Sequence, residues 1–133
     1  MTHEARGTYV NISPDEEPYD APSEGATISR GSVTRHFEGE VAGDSVATVL
    51  IARGTPERLG YVATDRFTGR IGDRSGSFVF QHGGPIDRGA LTSFGYIVPG
   101  SGSGDLARIT GEVRIEFIPP MTHSLTLRYA FEE

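Results

Sequence analysis

The segment GYVATDRFTGRIGDRSGSFVFQHGG, residues 60–84, decides the fold. Apolar and polar residues alternate over 59–69 and again over 75–83, as they do in strands that bury one face. Between the two runs, IGDRSG supplies the glycine and aspartate that tight turns require. Because the connection is so short, the two strands must be antiparallel neighbours. The segment therefore predicts an antiparallel sheet.

The same pattern recurs along the chain, and no helical period of apolar residues persists anywhere. The fold class we expect is all-β, an eight-stranded antiparallel meander closed into a β-barrel, in a single domain over 1–133. Such a barrel has an interior just wide enough for side chains or for one small ligand. The predicted strands are 6–13, 26–37, 45–53, 59–69, 75–83, 90–98, 107–118 and 124–132.

Two segments interrupt this pattern. SPDEEPYDAPSEG, residues 13–25, holds three prolines and five carboxylates, so we expect a loop that crosses an edge or the mouth of the barrel. PGSGSGD, residues 99–105, begins a G-x-G-x-x-A spacing that resembles a dinucleotide fingerprint. The following LARITGEVRIEF reads as a strand and no βαβ unit is present, so we reject nucleotide binding.

Composition excludes several classes of function. The chain has no cysteine, and all 12 of its basic residues are arginine, which rules out disulfides, thiolate chemistry, lysine Schiff bases and a P-loop. A net charge of −6 disfavours nucleic acid. The four histidines lack metal-ligand spacing, and no G-x-S-x-G elbow or membrane-length apolar run occurs. We expect a cytoplasmic protein with no metal, no cofactor, and neither nucleic acid nor membrane as a partner.

Strand parity places charged and polar side chains among aromatic ones. VTRHFEGEV (33–41) and ATDRFTGRI (63–71) are similar at a 30-residue offset, and this offset aligns Arg35 with Asp65. Gln81, on the opposite parity to His82, cannot line the same cavity unless the strand bulges. The residues predicted to share inward faces are Val33, Arg35 and Phe37; Tyr61, Ala63, Asp65 and Phe67; and Phe78, Phe80 and His82.

Each charged candidate has a structural and a functional interpretation. An unpaired buried charge is costly, so the favoured interpretation is an Arg35–Asp65 ion pair across the interior. The alternatives make Asp65 a general base or polar anchor with a perturbed pKa, or leave the face solvated. His82 is either a general acid or base at the cavity mouth or, as we favour, a strand-end histidine bonded to the backbone of the HGGP turn.

A family resemblance rests on GYVATDRFTGRIGDRSGSFVFQHGG, IVPGSGSGDLARITGEVRI, EEPYD and VTRHFEGEV, in the order that they have in this chain. The sequence resembles a family of small uncharacterised bacterial proteins, a domain of unknown function with the allene oxide cyclase-like barrel. The family has no established common activity. Relatives of that barrel, the plant allene oxide cyclases and dirigent proteins, bind reactive hydrophobic substrates and guide ring closure or coupling. Their catalytic residues do not transfer, because the similarity to them is one of fold.

Three functions follow as hypotheses. The first is a cofactor-free cyclase or isomerase for a small apolar substrate, with Asp65, Arg35 and His82 as catalytic groups. The second is a barrel that binds a hydrophobic ligand without catalysis. The third is a structural barrel with a filled interior that forms a homo-oligomer. An interior void of about 300 Å³ that exposes Asp65 or His82 would favour a ligand. The residues expected to contact that ligand are Tyr61, Phe67, Phe78, Phe80 and Phe37.

Overall fold

Ten β-strands make up the computed structural model, which describes residues 1–133. The strands follow the alternating pattern of the sequence, and the turns between them fall at glycines such as Gly72, whose φ of 59° favours a residue without a side chain. Their bounds are β1 His3–Asp20, β2 Thr27–Gly39, β3 Val41–Thr55, β4 Arg58–Ile71, β5 Arg74–Asp87, β6 Ala90–Leu91, β7 Phe94–Ile97, β8 Ser103–Gly104, β9 Ile109–Ile118 and β10 Thr122–Phe131.

The long strands pair in a closed ring of backbone hydrogen bonds. Each of β1 to β5 is antiparallel to the next, and the ring continues through β7, β9 and β10. It closes where β10 pairs with β1, for example Leu127 with Ala5. The two-residue strands β6 and β8 both pair with β5. The predicted all-β antiparallel sheet is confirmed. No helix has the length and hydropathy that crossing a membrane requires.

The predicted strand over 90–98 is two short strands instead of one. Ser93 lies in the gap between β6 and β7, and its hydroxyl accepts from the amide of Ile115 and donates to the carbonyl of the same residue. At this position the Ser93 side chain, instead of the Ser93 backbone, forms the hydrogen bonds with the backbone of β9. No helix follows the G-x-G-x-x-A spacing, because residues 106–117 form a turn and then β9.

The predicted loop over 13–25 is wrong for its first part, because β1 continues to Asp20. Beyond Tyr9, β1 pairs with β2 alone, so one edge of the strand is free and a residue without an amide hydrogen is tolerated there. The register shifts between Ile12 and Asp15, and Ser13 in this bulge has a φ of 50°. The acidic, proline-rich segment is therefore an extension of the sheet.

A hydrophobic core fills one end of the interior. The two internally similar segments meet there: β2 and β4 flank β3, and the rings of Phe37 and Phe67 lie 5.6 Å apart. Phe67 also contacts Phe78, with ring centroids at 5.1 Å. The core cluster consists of Ala5, Tyr9, Phe37, Val41, Phe67, Ile71, Phe78, Phe80, Ile97, Leu106, Ile109, Val113, Ile115, Leu125 and Leu127.

Candidate functional site

Burial of the side chains decreases along the inward face of β4, from the hydrophobic core toward the cavity. Phe67 and Asp65 are fully buried, whereas Tyr61 and Leu59, nearer the other end of the strand, are only partly buried. Every second residue of β4 points inward. The ring of Phe67, the carboxylate of Asp65 and the phenol of Tyr61 therefore follow one another from the core toward the cavity. The antiparallel β5 places His82 opposite Ala63, between these levels.

Asp65 is the centre of a buried polar network. Its Oδ1 accepts from Arg35 Nε at 2.8 Å and from the Ser45 hydroxyl at 2.8 Å, and its Oδ2 lies 2.7 Å from His82 Nε2. Asp65 is 0 % exposed and Arg35 is 6 % exposed. The predicted Arg35–Asp65 ion pair is therefore present. A buried carboxylate of this kind is stable only because each oxygen has partners.

The protonation of the network follows from these contacts. Burial raises the pKa of Asp65, but the hydrogen bond with His82 and the charge of Arg35 outweigh it, so the pKa of Asp65 lies below its ordinary value. Burial and the charge of Arg35 together lower the pKa of His82 by more than Asp65 raises it. His82 is thus neutral, and its Nε2–H donates to the carboxylate of Asp65, which leaves Nδ1 as an acceptor.

Tyr61 completes the chain. Its hydroxyl lies 3.0 Å from His82 Nδ1, so the phenol donates to the imidazole. Burial is the main reason that the pKa of Tyr61 rises to about 12, with Arg35 opposing it. The sequence-based expectation that His82 bonds to the backbone of the HGGP turn is wrong, because both ring nitrogens are occupied by side chains.

A cavity of about 390 Å³ opens beside this network. Most of its wall is apolar, and its charged groups are Arg35 and the acidic residues of β1. The lining residues are Tyr9, Asn11, Pro14, Asp15, Glu16, Ser32, Val33, Arg35, Val49, Ile51, Leu59, Tyr61, Ile86, Leu91, Ile115 and His123.

At the end of the cavity that adjoins the hydrophobic core, the charged lining residue is Arg35. Its Nη1 donates to Asn11 Oδ1 at 3.0 Å, and the guanidinium lies over the ring of Tyr9, 5.3 Å from the centroid. The hydrogen bonds to Asp65 and Asn11 use Nε and Nη1, so the N–H groups of Nη2 remain for an oxygen atom in the cavity, with the Tyr9 hydroxyl as the neighbouring protein group that can compete for them. Burial raises the pKa of Tyr9, so its hydroxyl stays protonated beneath the arginine.

His123 is a cavity residue that the sequence analysis missed. Its ring stacks on Tyr9 with centroids 5.0 Å apart and planes 11° apart, and its buried Nδ1 has no hydrogen-bond partner. Burial lowers the pKa of His123, so the ring is neutral. The alternation of His123, Leu125 and Leu127 along β10 was the signal that could have placed it inside.

The other end of the cavity is bordered by acidic residues. Asp15 accepts from the amide and the hydroxyl of Ser32 at 2.9 and 3.1 Å. Glu16 forms a two-point ion pair with Arg53, at 3.0 and 2.7 Å. The acidic segment thus borders a cavity mouth, as predicted for 13–25, although it does so as a strand.

The predicted site residues separate into two groups. Arg35 and Tyr61 line the cavity, whereas Asp65 and His82 lie behind them and do not. The four phenylalanines predicted to contact a ligand are at most 1 % exposed and belong to the core, so they do not line this cavity either: Phe37, Phe67, Phe78 and Phe80. No group of three or more His, Cys, Asp or Glu side chains is arranged to hold a metal ion.

Comparison with known proteins identifies a family without a known activity. Residues 5–129 match the family model described as "Protein of unknown function (DUF3224)". A crystal structure of a protein of unknown function from this family in Shewanella oneidensis MR-1 is similar, with 26% identity and a TM-score of 0.83 over 100% of this chain and 99% of that one. No curated protein matches. The resemblance to an uncharacterised bacterial family is confirmed at that level, whereas the allene oxide cyclase-like assignment stays a prediction. The chain belongs to the DUF3224 family.

Proposed function

We propose that this protein binds one small, mainly apolar molecule that carries a hydrogen-bond acceptor oxygen. The observation that carries the proposal is a cavity of about 390 Å³ with mainly apolar walls, which is lined by Arg35, and the bonds of Arg35 to Asp65 and Asn11 use only Nε and Nη1. Ligand sites typically combine an apolar lining with a few polar groups that fix orientation. The volume exceeds the expected value of about 300 Å³, but the polar residues of the inward faces that line the cavity are Arg35 and Tyr61 instead of Asp65 and His82.

The charges around the cavity favour a neutral ligand. Arg35 is already paired with Asp65 at 2.8 Å, so the guanidinium needs no second anion. Asp15, whose only hydrogen-bond partner is the neutral Ser32, adds negative charge at the opposite end of the cavity and would repel a carboxylate as it enters, whereas the charge of Glu16 is paired with Arg53. A ketone, aldehyde or ester oxygen suits Nη2 of Arg35, and an alkyl or alicyclic body suits the apolar wall.

We further propose that the closed ring of strands is a β-barrel of the allene oxide cyclase type. Seven long antiparallel strands and the four-residue β7, which pair in sequence order around the ring, support this, as does the resemblance of the family signature. A cofactor-free cyclase or isomerase is the second candidate function. The observation that favours it is the bond between Tyr61, which lines the cavity, and His82.

Titration with methyl octyl ketone tests the binding proposal, and calorimetry or ¹H–¹⁵N chemical shifts give the affinity. Val49→Phe fills part of the cavity from β3 and is expected to weaken binding at least tenfold. Val46→Phe adds the same ring on the outer face of β3, where Val46 is 63% exposed, and should leave the affinity unchanged. Equal affinities for both variants, or no binding to the unaltered protein, would overturn the proposal.

A further inference from the structure

We propose that Tyr61, His82 and Asp65 form a proton relay with which the cavity catalyses enolisation of a bound carbonyl compound. The reaction class is removal of a proton from the α carbon of a carbonyl compound to give its enolate, followed by return of a proton to the α carbon or, in an unsaturated compound, to the γ carbon, as in allylic isomerisation. The inference rests on the proposed binding of a carbonyl ligand and adds a chemical step to it.

The geometry is that of a base held by a third group. Tyr61 Oη, His82 Nδ1 and Nε2, and Asp65 Oδ2 follow one another through contacts of 3.0 and 2.7 Å. Both distances lie in the range within which a proton passes between heavy atoms. The chain begins at a residue that lines the cavity and ends at a carboxylate that is 0 % exposed.

Asp65 acts here as a positioning residue. Arg35 Nε and the Ser45 hydroxyl hold Oδ1, so Oδ2 is fixed toward His82. That bond keeps the proton of neutral His82 on Nε2 and stabilises the imidazolium that forms when Nδ1 takes up a second proton. The buried carboxylate itself does not contact a ligand in the cavity.

The step balances without any co-reactant. Tyr61 Oη takes the α proton of the ligand while its own proton moves to His82 Nδ1. The electron pair of the C–H bond forms the carbon–carbon double bond of the enolate, and the carbonyl π pair moves to oxygen. Arg35 Nη2–H binds this oxyanion. In reverse, His82 returns its proton to Tyr61, and Tyr61 delivers one to the α or the γ carbon.

Other titratable groups at the cavity are less suited to this role. Asp15 and Glu16 are occupied by Ser32 and Arg53. His123 also lines the cavity, but its Nδ1 is buried and neither ring nitrogen forms a hydrogen bond with a side chain that would polarise the ring. It is nevertheless the competing base, and the experiment must separate it from Tyr61.

Proton exchange of methyl octyl ketone in D₂O tests the relay, with the loss of the α-proton signals measured by ¹H NMR at saturating protein. We expect exchange at least 100-fold faster than in buffer, given what general acid–base catalysis contributes. Tyr61→Phe removes the first atom of the relay and keeps the ring, so exchange should fall roughly 100-fold while the ketone still binds. Tyr96→Phe is the matched control, because that hydroxyl bonds to Gln81 outside the site.

Each outcome is decisive. Fast exchange that Tyr61→Phe abolishes and both Tyr96→Phe and His123→Phe retain supports the relay. Binding without accelerated exchange overturns the relay and leaves the binding function intact. Exchange that survives in Tyr61→Phe, or that His123→Phe abolishes, also overturns it. Absence of ketone binding overturns the proposed function and the relay with it.

Discussion

Replacing Asp65 with asparagine tests whether the buried network holds the fold together. The substitution keeps the shape but removes the charge that pairs with Arg35 at 2.8 Å, at a position 0 % exposed. The new amide also presents a donor to His82 Nε2–H, which is itself a donor. Removing one partner of a buried pair costs about 3–5 kcal/mol. Asp65→Asn should therefore lower the free energy of unfolding by about 4 kcal/mol.

The assay is urea unfolding followed by circular dichroism. With a slope of about 2 kcal/mol per M, the midpoint should fall by about 2 M. Asp44→Asn is the matched control, since Asp44 also contacts a histidine, His36, at 2.8 Å, but both side chains are exposed. Its midpoint should not change. Ser45→Ala removes one bond to Asp65 and should cost about 1–3 kcal/mol. A midpoint for Asp65→Asn equal to that of Asp44→Asn would refute the reasoning.

Two further predictions concern pH and the backbone. The pKa of folded His82 lies below its ordinary value of 6.5, because burial and the charge of Arg35 outweigh Asp65. The unfolded chain therefore binds more protons at this residue, and the contribution of His82 to stability should fall as pH drops below about 6.5, by at most about 1.4 kcal/mol per pH unit. Urea midpoints measured across this range should depend less on pH in His82→Gln, and an unchanged dependence would contradict the assignment. Gly43 has a φ of 144°, and a Cβ there would overlap the carbonyl oxygen of Thr68, so Gly43→Ala should cost more than about 1 kcal/mol. Gly60→Ala, which meets no atom within 4 Å, is the control, and equal unfolding midpoints for the two variants would disprove the steric argument.

The sequence by itself determined the strand pattern and the inward faces. Alternation is a local property of an extended backbone, so it correctly placed Phe78, Phe80 and His82 on one buried face. The cost of an unpaired buried charge then predicted the Arg35–Asp65 pair, whose distance is 2.8 Å. The missing amide hydrogen of proline predicted a loop over 13–25. A strand that has only one neighbour tolerates proline, and the number of neighbours depends on residues distant in sequence.

Only the tertiary structure decided which buried residues face the cavity. Parity puts Tyr61 and Phe67 on the same face, yet the first lines the cavity and the second lies in the core, because the depth of each depends on strands distant in sequence. The hydrogen-bond partners of His82 could not be predicted either, because Tyr61 and Asp65 are placed beside it by the register of β4 with β5. Periodicity specifies the face that a side chain shares, whereas the closed ring of strands sets its depth and its neighbours.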